Sequence, residues 1–429
     1  MESRSRGEGK TESDLGKEQR PIERILCPLI SAALLLLLLI AVLQACQSSG
    51  TGTSADTEIT VYKTGYCFDT VITLTAYTSR MESETASQIL EDALLLCQEY
   101  EAKYLDRFGE ESEIGAINAT QRQIFSENIE AGYEISDDEI VESPEDQTES
   151  NNDTDDEAVQ KNDKEHSIEL KTGTETGYTY EVSDICRDLI EVGLYYYELS
   201  NGSFDLTVTP LSDLWNVTDE DFTVPTSEQV AEAKSLVGSD RVTLSGNTLT
   251  LGEGQQLNFG GIAKGYMCEV LRQYFTENGL SHVIVNLGGN VFVMGGEEGY
   301  TVAVANPLSE DYAAAVFISD GYVVTSGIYE RGQEVDGVWY HHIIDPATGY
   351  PVDTEIVSAT VVMDISDHPD SAVAWHSDVL STMFVLTKTQ EGAYALWQQL
   401  KADEKYEELS QVILVLEDGT VTVWNESDQ

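Results

Sequence analysis

Asp378 and Thr382 stand four residues apart in a segment, Ala372–Leu386, whose apolar spacing predicts a helix. At that spacing a carboxylate and a hydroxyl project from one helix face. Ser381, three residues after Asp378, can reach the same side. A carboxylate with one or two hydroxyls is a hard-oxygen set suited to Mg2+, which keeps waters and takes substrate phosphates as further ligands. A solvent aspartate with a back-bonded threonine has the same spacing. A second group lies in Leu257–Leu271, LNFGGIAKGYMCEVL. Its Gly-Gly pair allows close backbone approach. The spacing of Ile262, Tyr266, Val270 and Leu271 predicts a helix with Lys264 in its first turn. A cation at a helix N-terminus makes a corner that accepts phosphate; an ordinary strand-to-helix turn with a solvent lysine fits the segment as well. His341 and His342 are adjacent, so in an extended segment they point to opposite faces. His342 suits a general base or a hydrogen-bond donor, with a core histidine as the alternative. No nucleophile elbow and no Walker loop occurs, and Thr325-Ser326-Gly327 reads as a loop for backbone approach.

The elements that must position these groups alternate irregularly. A strand is predicted over Thr70–Tyr77 and an amphipathic helix over Glu84–Leu105. A helix over Ser183–Leu199 follows, with Ser183 as N-cap and Asn201-Gly202 as its stop. A short helix at Ser227–Val237 precedes two short strands at Val242–Leu244 and Leu249–Leu251. His282–Asn286 and Val291–Met294 read as strands around a glycine turn. Pro346, Gly349 and Pro351 make the stretch after His342 a rigid loop. Strands and helices without a regular β-α-β alternation indicate an α+β fold of mixed sheets and helices in a single folded domain, residues 61–425.

The net charge is −54, from 77 acidic and 23 basic residues. That excludes nucleic acid as a partner and requires a local cation wherever an anionic ligand is held. Residues 121–171 are acidic, poor in aromatics and aperiodic, which predicts a disordered insertion. Residues 1–24 are polar. Ile25–Leu43 is long enough to span a bilayer, and residues 25–46 end in Leu43-Gln44-Ala45-Cys46 before a flexible tether, residues 47–60. This is similar to the lipobox of a bacterial lipoprotein with Cys46 as the lipidated residue; an uncleaved membrane anchor is the alternative. With Arg20 and Arg24 on the N-terminal side, both put the rest of the chain outside the cytoplasmic membrane. The four cysteines beyond the leader (Cys67, Cys97, Cys186, Cys268) are expected as buried small hydrophobes.

In order along the chain, NFGGIAKG at 258–265, NLGGN at 286–290, TSGIY at 325–329, HHIIDPATGYP at 341–351 and Asp378-x-x-Ser381-Thr382 together resemble the ApbE family, the FAD:protein FMN transferases. Phe68-Asp69-Thr70, Ser112-Glu113-Ile114 with Asn118, and Gly202-Ser203-Phe204-Asp205 are similar to its N-terminal motifs. The resemblance implies a Mg2+-dependent transferase that splits the pyrophosphate of FAD. It would place FMN on a threonine or serine hydroxyl of an acceptor flavoprotein and release AMP. The same site could hydrolyse FAD to FMN and AMP, and a flavin-binding lipoprotein without catalysis is the third reading. The resemblance gives Gly261 (through its carbonyl), Asp378 and Thr382, with Ser381 beside them, as metal ligands. It gives Lys264 as the charge beside the pyrophosphate and His342 as the group that takes the acceptor's proton. Phe68, Phe108, Ser203, Phe204, Asp205, Asn258 and Ile344 match positions that line the flavin or adenosine pocket. The chain departs from the pattern at Asn258, where the family usually has Asp, at Glu269, where Asp is common, and at Phe108, where a tyrosine is common.

Overall fold

The computed structural model describes residues 58–130, 170–174, 177–296 and 298–425. Most of the acidic insertion expected at 121–171, and the apolar segment with Cys46, lie outside the described residues. The described residues belong to one compact unit, and none of their helices is long and apolar enough to cross a membrane.

Eight strands form the central sheet: β1 Ile59–Cys67, β2 Thr70–Thr78, β3 Val283–Leu287, β4 Asn290–Met294, β5 Gly321–Gly327, β6 Ile356–Asp364, β7 Leu409–Leu416 and β8 Val421–Asn425. Their spatial order is their chain order, and every neighbouring pair is antiparallel. Eight helices accompany the sheet among the described residues: α1 Ser83–Tyr100, α2 Glu113–Glu130, α3 Asp184–Leu199, α4 Thr209–Trp215, α5 Ser227–Ser235, α6 Ala263–Glu277, α7 Ala374–Leu386 and α8 Gln390–Lys401. The α+β expectation is met.

Alternation along the strands sends two sets of side chains to opposite faces. Ile72, Leu74, Val285, Leu287, Phe292, Val324 and Leu414 join the main core, with Leu90 and Ala93 of α1, Met267 and Leu271 of α6, and Leu380 and Phe384 of α7. Val293, Val323, Val362 and Ile413 face the other way, onto a hairpin built from Tyr300–Ala305 and Tyr312–Ile318. A third, small cluster of Leu211, Trp215, Val217, Val230 and Ile344 lies apart from both. Cys67, Cys97, Cys186 and Cys268 are buried and free, as expected of small hydrophobes.

Boundaries differ from expectation where tertiary contacts outweigh local pattern. The chain enters the sheet one strand earlier than expected, at β1. The stretch from Gln121 to Glu130, expected within the disordered insertion, is helical because α2 continues through it. Gln121 is buried and accepts the Gly254 N–H at 2.9 Å, and Arg122 donates to Gln256 at 2.8 Å. The expected Ser183 N-cap is present, its hydroxyl accepting from Cys186 N.

Candidate functional site

The NFGG segment is held before it reaches the site. Asn118 donates from its amide to the Leu257 carbonyl at 2.9 Å and accepts the Leu257 N–H at 2.7 Å, and Thr209 also donates to that carbonyl. Glu113 takes both the backbone N–H and the hydroxyl of Ser183 at 2.6 Å. The Ser-Glu…Asn motif of α2 thus fixes the frame around the cavity. Gly261 is required by packing, since a Cβ there would stand 2.9 Å from the Phe204 ring.

Helices α6 and α7 cross so closely that a Cβ on Gly265 would meet the Ala374 carbonyl at 2.6 Å. This contact lets Asp378 Oδ2 accept the Gly265 N–H at 2.9 Å. One anion expected at the α6 N-terminus is therefore the protein's own carboxylate. Asp378 is 3% exposed and has no ion-pair partner among the described residues. A buried carboxylate left without a counter-charge is costly unless a cation completes the site. Thr382 lies one turn on, its hydroxyl 3.1 Å from Ser326 Oγ and 4.0 Å from the ideal Cβ position at Gly261.

These groups open onto one cavity of about 670 Å3, within the range of small-molecule sites. Lys264, Asn258, Gly261, Asp378 and Thr382 share its lining with His342, Ile344, Phe68, Phe108, Ser203, Phe204 and Asp205. Lys264 Nζ reaches the Gly288 carbonyl at 3.4 Å and forms no ion pair among the described residues. His342 Nδ1 lies 3.3 Å from the Arg331 carbonyl. A carbonyl only accepts, so Nδ1 carries the proton and Nε2 keeps its lone pair. Burial lowers the His342 pKa to about 4, the Arg331 charge adding to it against the bond to the Arg331 carbonyl. The ring is neutral at pH 7 and fit to accept a proton. His341 is the core histidine of the pair: it is buried, with Nε2 3.1 Å from the Val352 carbonyl.

Three residues of the expected set are spent partly or wholly on the protein itself. Ser381 is fully buried and outside the cavity lining; its hydroxyl donates to the Asp378 carbonyl at 2.8 Å and meets Ser326 at 2.7 Å. Asp205 borders the cavity, but its carboxylate accepts from the N–H and hydroxyl groups of both Thr207 and Ser239. Asn258 Oδ1 accepts the Gly260 N–H at 2.8 Å, leaving its amide nitrogen for a ligand. Phe108 is 59% exposed at the cavity edge, with the Arg107 guanidinium 4.1 Å from its ring centroid.

Sequence reasoning missed Glu101 and Arg331, which also line the cavity. Phe68 and Asp69, the two residues joining β1 to β2, have φ of +54° and +55°. A type I′ hairpin turn needs positive φ at both positions, which non-glycine residues adopt at a cost of about 1–3 kcal/mol each. Glu101 opens the five-residue π-turn Glu101–Leu105 that ends α1. Its carboxylate accepts the Phe68 N–H at 2.6 Å and the Cys67 thiol at 3.0 Å. Arg331 Nη2 donates to the Asp69 carbonyl at 3.4 Å. Two adjacent non-glycine residues at a hairpin tip were the available signal for the turn; nothing local marks Glu101.

A family model described as the ApbE family matches residues 68–404. An FAD:protein FMN transferase of Klebsiella pneumoniae (strain 342) is 31% identical over 208 residues, 47% of this chain and 62% of that protein. One from Treponema pallidum (strain Nichols) is 33% identical over 204 residues, 43% of this chain and 56% of that protein. The chain thus spans less than two thirds of the length of these relatives. In three dimensions it is similar to the ApbE protein of Thermotoga maritima, with TM-score 0.61 and 24% identity over 86% of this chain and 98% of that one. A flavin transferase ApbE from Vibrio cholerae matches over the same shares at TM-score 0.61 and 19% identity. At these identities the structural likeness establishes the fold.

Proposed function

The chain belongs to the ApbE family, and from that premise we propose that it transfers the FMN moiety of FAD to a threonine or serine hydroxyl of an acceptor flavoprotein, releasing AMP. The observation that carries the reading is the convergence of Lys264, Asp378, Thr382 and a neutral His342 on one cavity. In the proposed step the acceptor oxygen bonds to the FMN phosphorus while the bond from that phosphorus to the bridging pyrophosphate oxygen breaks. His342 Nε2 takes the acceptor's proton, and AMP leaves with the bridging oxygen. Lys264 offsets the charge that the leaving phosphate gathers. In a chain of net charge −54 this local cation also keeps the anionic substrate from being repelled.

Mg2+ belongs to the same proposal. The buried Asp378, without an ion-pair partner among the described residues, the Thr382 hydroxyl and the Gly261 backbone fit a hard cation. Asp378, Thr382 and the Gly261 carbonyl would hold it, and Ser381 would support them through Ser326 rather than as a ligand. When bound, the ion supplies charge neutralisation at the pyrophosphate. Product analysis tests the reading: with FAD, Mg2+ and an acceptor present, AMP should form in step with flavinylated acceptor. FMN and AMP formed without modified acceptor would favour hydrolysis.

For Asn258, the remaining amide N–H group offers a donor to the ligand. Asn258→Asp keeps the Gly260 bond, removes that donor and adds a charge beside an anionic substrate. FAD affinity is expected to fall about tenfold, near 1.4 kcal/mol, in a flavin-fluorescence titration. Unchanged or tighter binding would contradict a donor role.

Location completes the proposal. The apolar run ending at Leu-Gln-Ala-Cys46, with arginines before it, supports lipid anchoring at Cys46 on the outer side of the cytoplasmic membrane. Fatty-acid labelling in cells should be lost in Cys46→Ser; label that persists in the variant would exclude the lipobox.

A further inference from the structure

Resting on the flavin reading above, we infer that Glu101 is a positioning residue: it holds the left-handed Phe68-Asp69 turn against the cavity and so sets flavin-nucleotide affinity. Four observations on different elements converge on it. The turn has positive φ at two successive residues, neither of them glycine, so some contact must hold it there. The Phe68 N–H is taken by Glu101 Oε1 at 2.6 Å, while the other carboxylate oxygen takes the Cys67 thiol. Glu101 forms no ion pair among the described residues, so its charge is balanced by these donors rather than by a cation. The helix carrying it departs from α geometry at this residue, in a π-turn, a feature found often at functional sites.

The turn is linked in turn to the reacting end of the cavity. Phe68 lines the wall, and Asp69 joins Arg331 through its carbonyl and, at 3.8 Å, through its carboxylate. The Arg331 carbonyl is the group that orients His342. Burial, and then the bond to Glu101, push the Cys67 thiol up, so it stays protonated and continues to donate. Glu101 therefore acts through the backbone of Phe68 and Asp69.

That mechanism predicts a specific rescue. Glycine adopts positive φ without strain, so a glycine at position 69 lowers the need for the carboxylate. FAD affinity of the full-length protein, read by flavin fluorescence, is compared for wild type, Glu101→Ala, Glu101→Gln and Glu101→Ala with Asp69→Gly. Glu101→Ala is expected to raise the FAD Kd about tenfold. Glu101→Gln, whose amide oxygen still accepts the Phe68 N–H, should stay within about threefold of wild type. Adding Asp69→Gly to Glu101→Ala should recover at least threefold. If Glu101→Ala does not fold, Glu101→Asp, one methylene too short to span the gap, takes its place with the same expected rescue. Wild-type affinity in the alanine variant, or a loss that neither glutamine nor Asp69→Gly restores, overturns the inference. A wild-type protein that binds no FAD would instead overturn the flavin reading itself.

Discussion

Replacing Asp378 with alanine is expected to lower FAD cleavage at saturating Mg2+ by at least about 10³-fold, equivalent to about 4 kcal/mol. The size follows from what the side chain does. It is the only carboxylate of the proposed metal set, it is 3% exposed, and it has no cationic partner among the described residues. Removing it leaves only neutral oxygens to hold a divalent ion. It also frees the Gly265 N–H, so the α6 N-terminus loses an internal acceptor. Asp378→Asn separates the two roles, since the amide oxygen can still accept that N–H while the charge is gone. The asparagine variant should melt close to wild type and remain inactive. Activity that stays Mg2+-dependent in either variant would refute the metal assignment.

The second large effect concerns His342. His342→Ala should lower kcat for transfer by about 10²–10⁴-fold, or about 3–5 kcal/mol, while FAD affinity changes little. The base is needed for the acceptor's proton and makes no use of the ligand's charge. Its pH dependence is the sharper test. Burial lowers the His342 pKa to about 4, so the protonated, inactive form accumulates only as pH falls toward that value. The acidic limb of kcat/KM should therefore lie near pH 4, well below the 6.5 of an exposed histidine. A limb near 6.5, or one retained in His342→Ala, would assign the proton to another group.

How far the sequence could be read divides along physical lines. Lys264, Asp378, Thr382 and His342 sit on segments whose own periodicity or loop chemistry sets their direction, and all four line the cavity. Ser183 capped its helix as expected for the same local reason. Side chains whose partners come from distant elements have bonding that local pattern does not reveal. The three-residue spacing of Ser381 from Asp378 is correct, yet its hydroxyl turns to Ser326 on β5. The carboxylate of Asp205 is taken up by Ser239, 34 residues away. Composition assigned 121–130 to the acidic insertion, but Gln121 and Arg122 dock on the Gly254–Gln256 loop and keep the helix going. Glu101 is one more acidic residue in an acidic helix, and only the fold brings it 2.6 Å from Phe68 N.

The most direct measurement is intact-mass analysis of a candidate acceptor flavoprotein incubated with this protein, FAD and Mg2+, with nucleotide products followed in the same sample. Transfer requires the acceptor to gain one FMN moiety on a single threonine or serine, matched by an equal amount of AMP, and neither should appear with Asp378→Ala. An acceptor of unchanged mass while FMN and AMP accumulate would contradict transfer and leave hydrolysis; FAD that stays intact would contradict both.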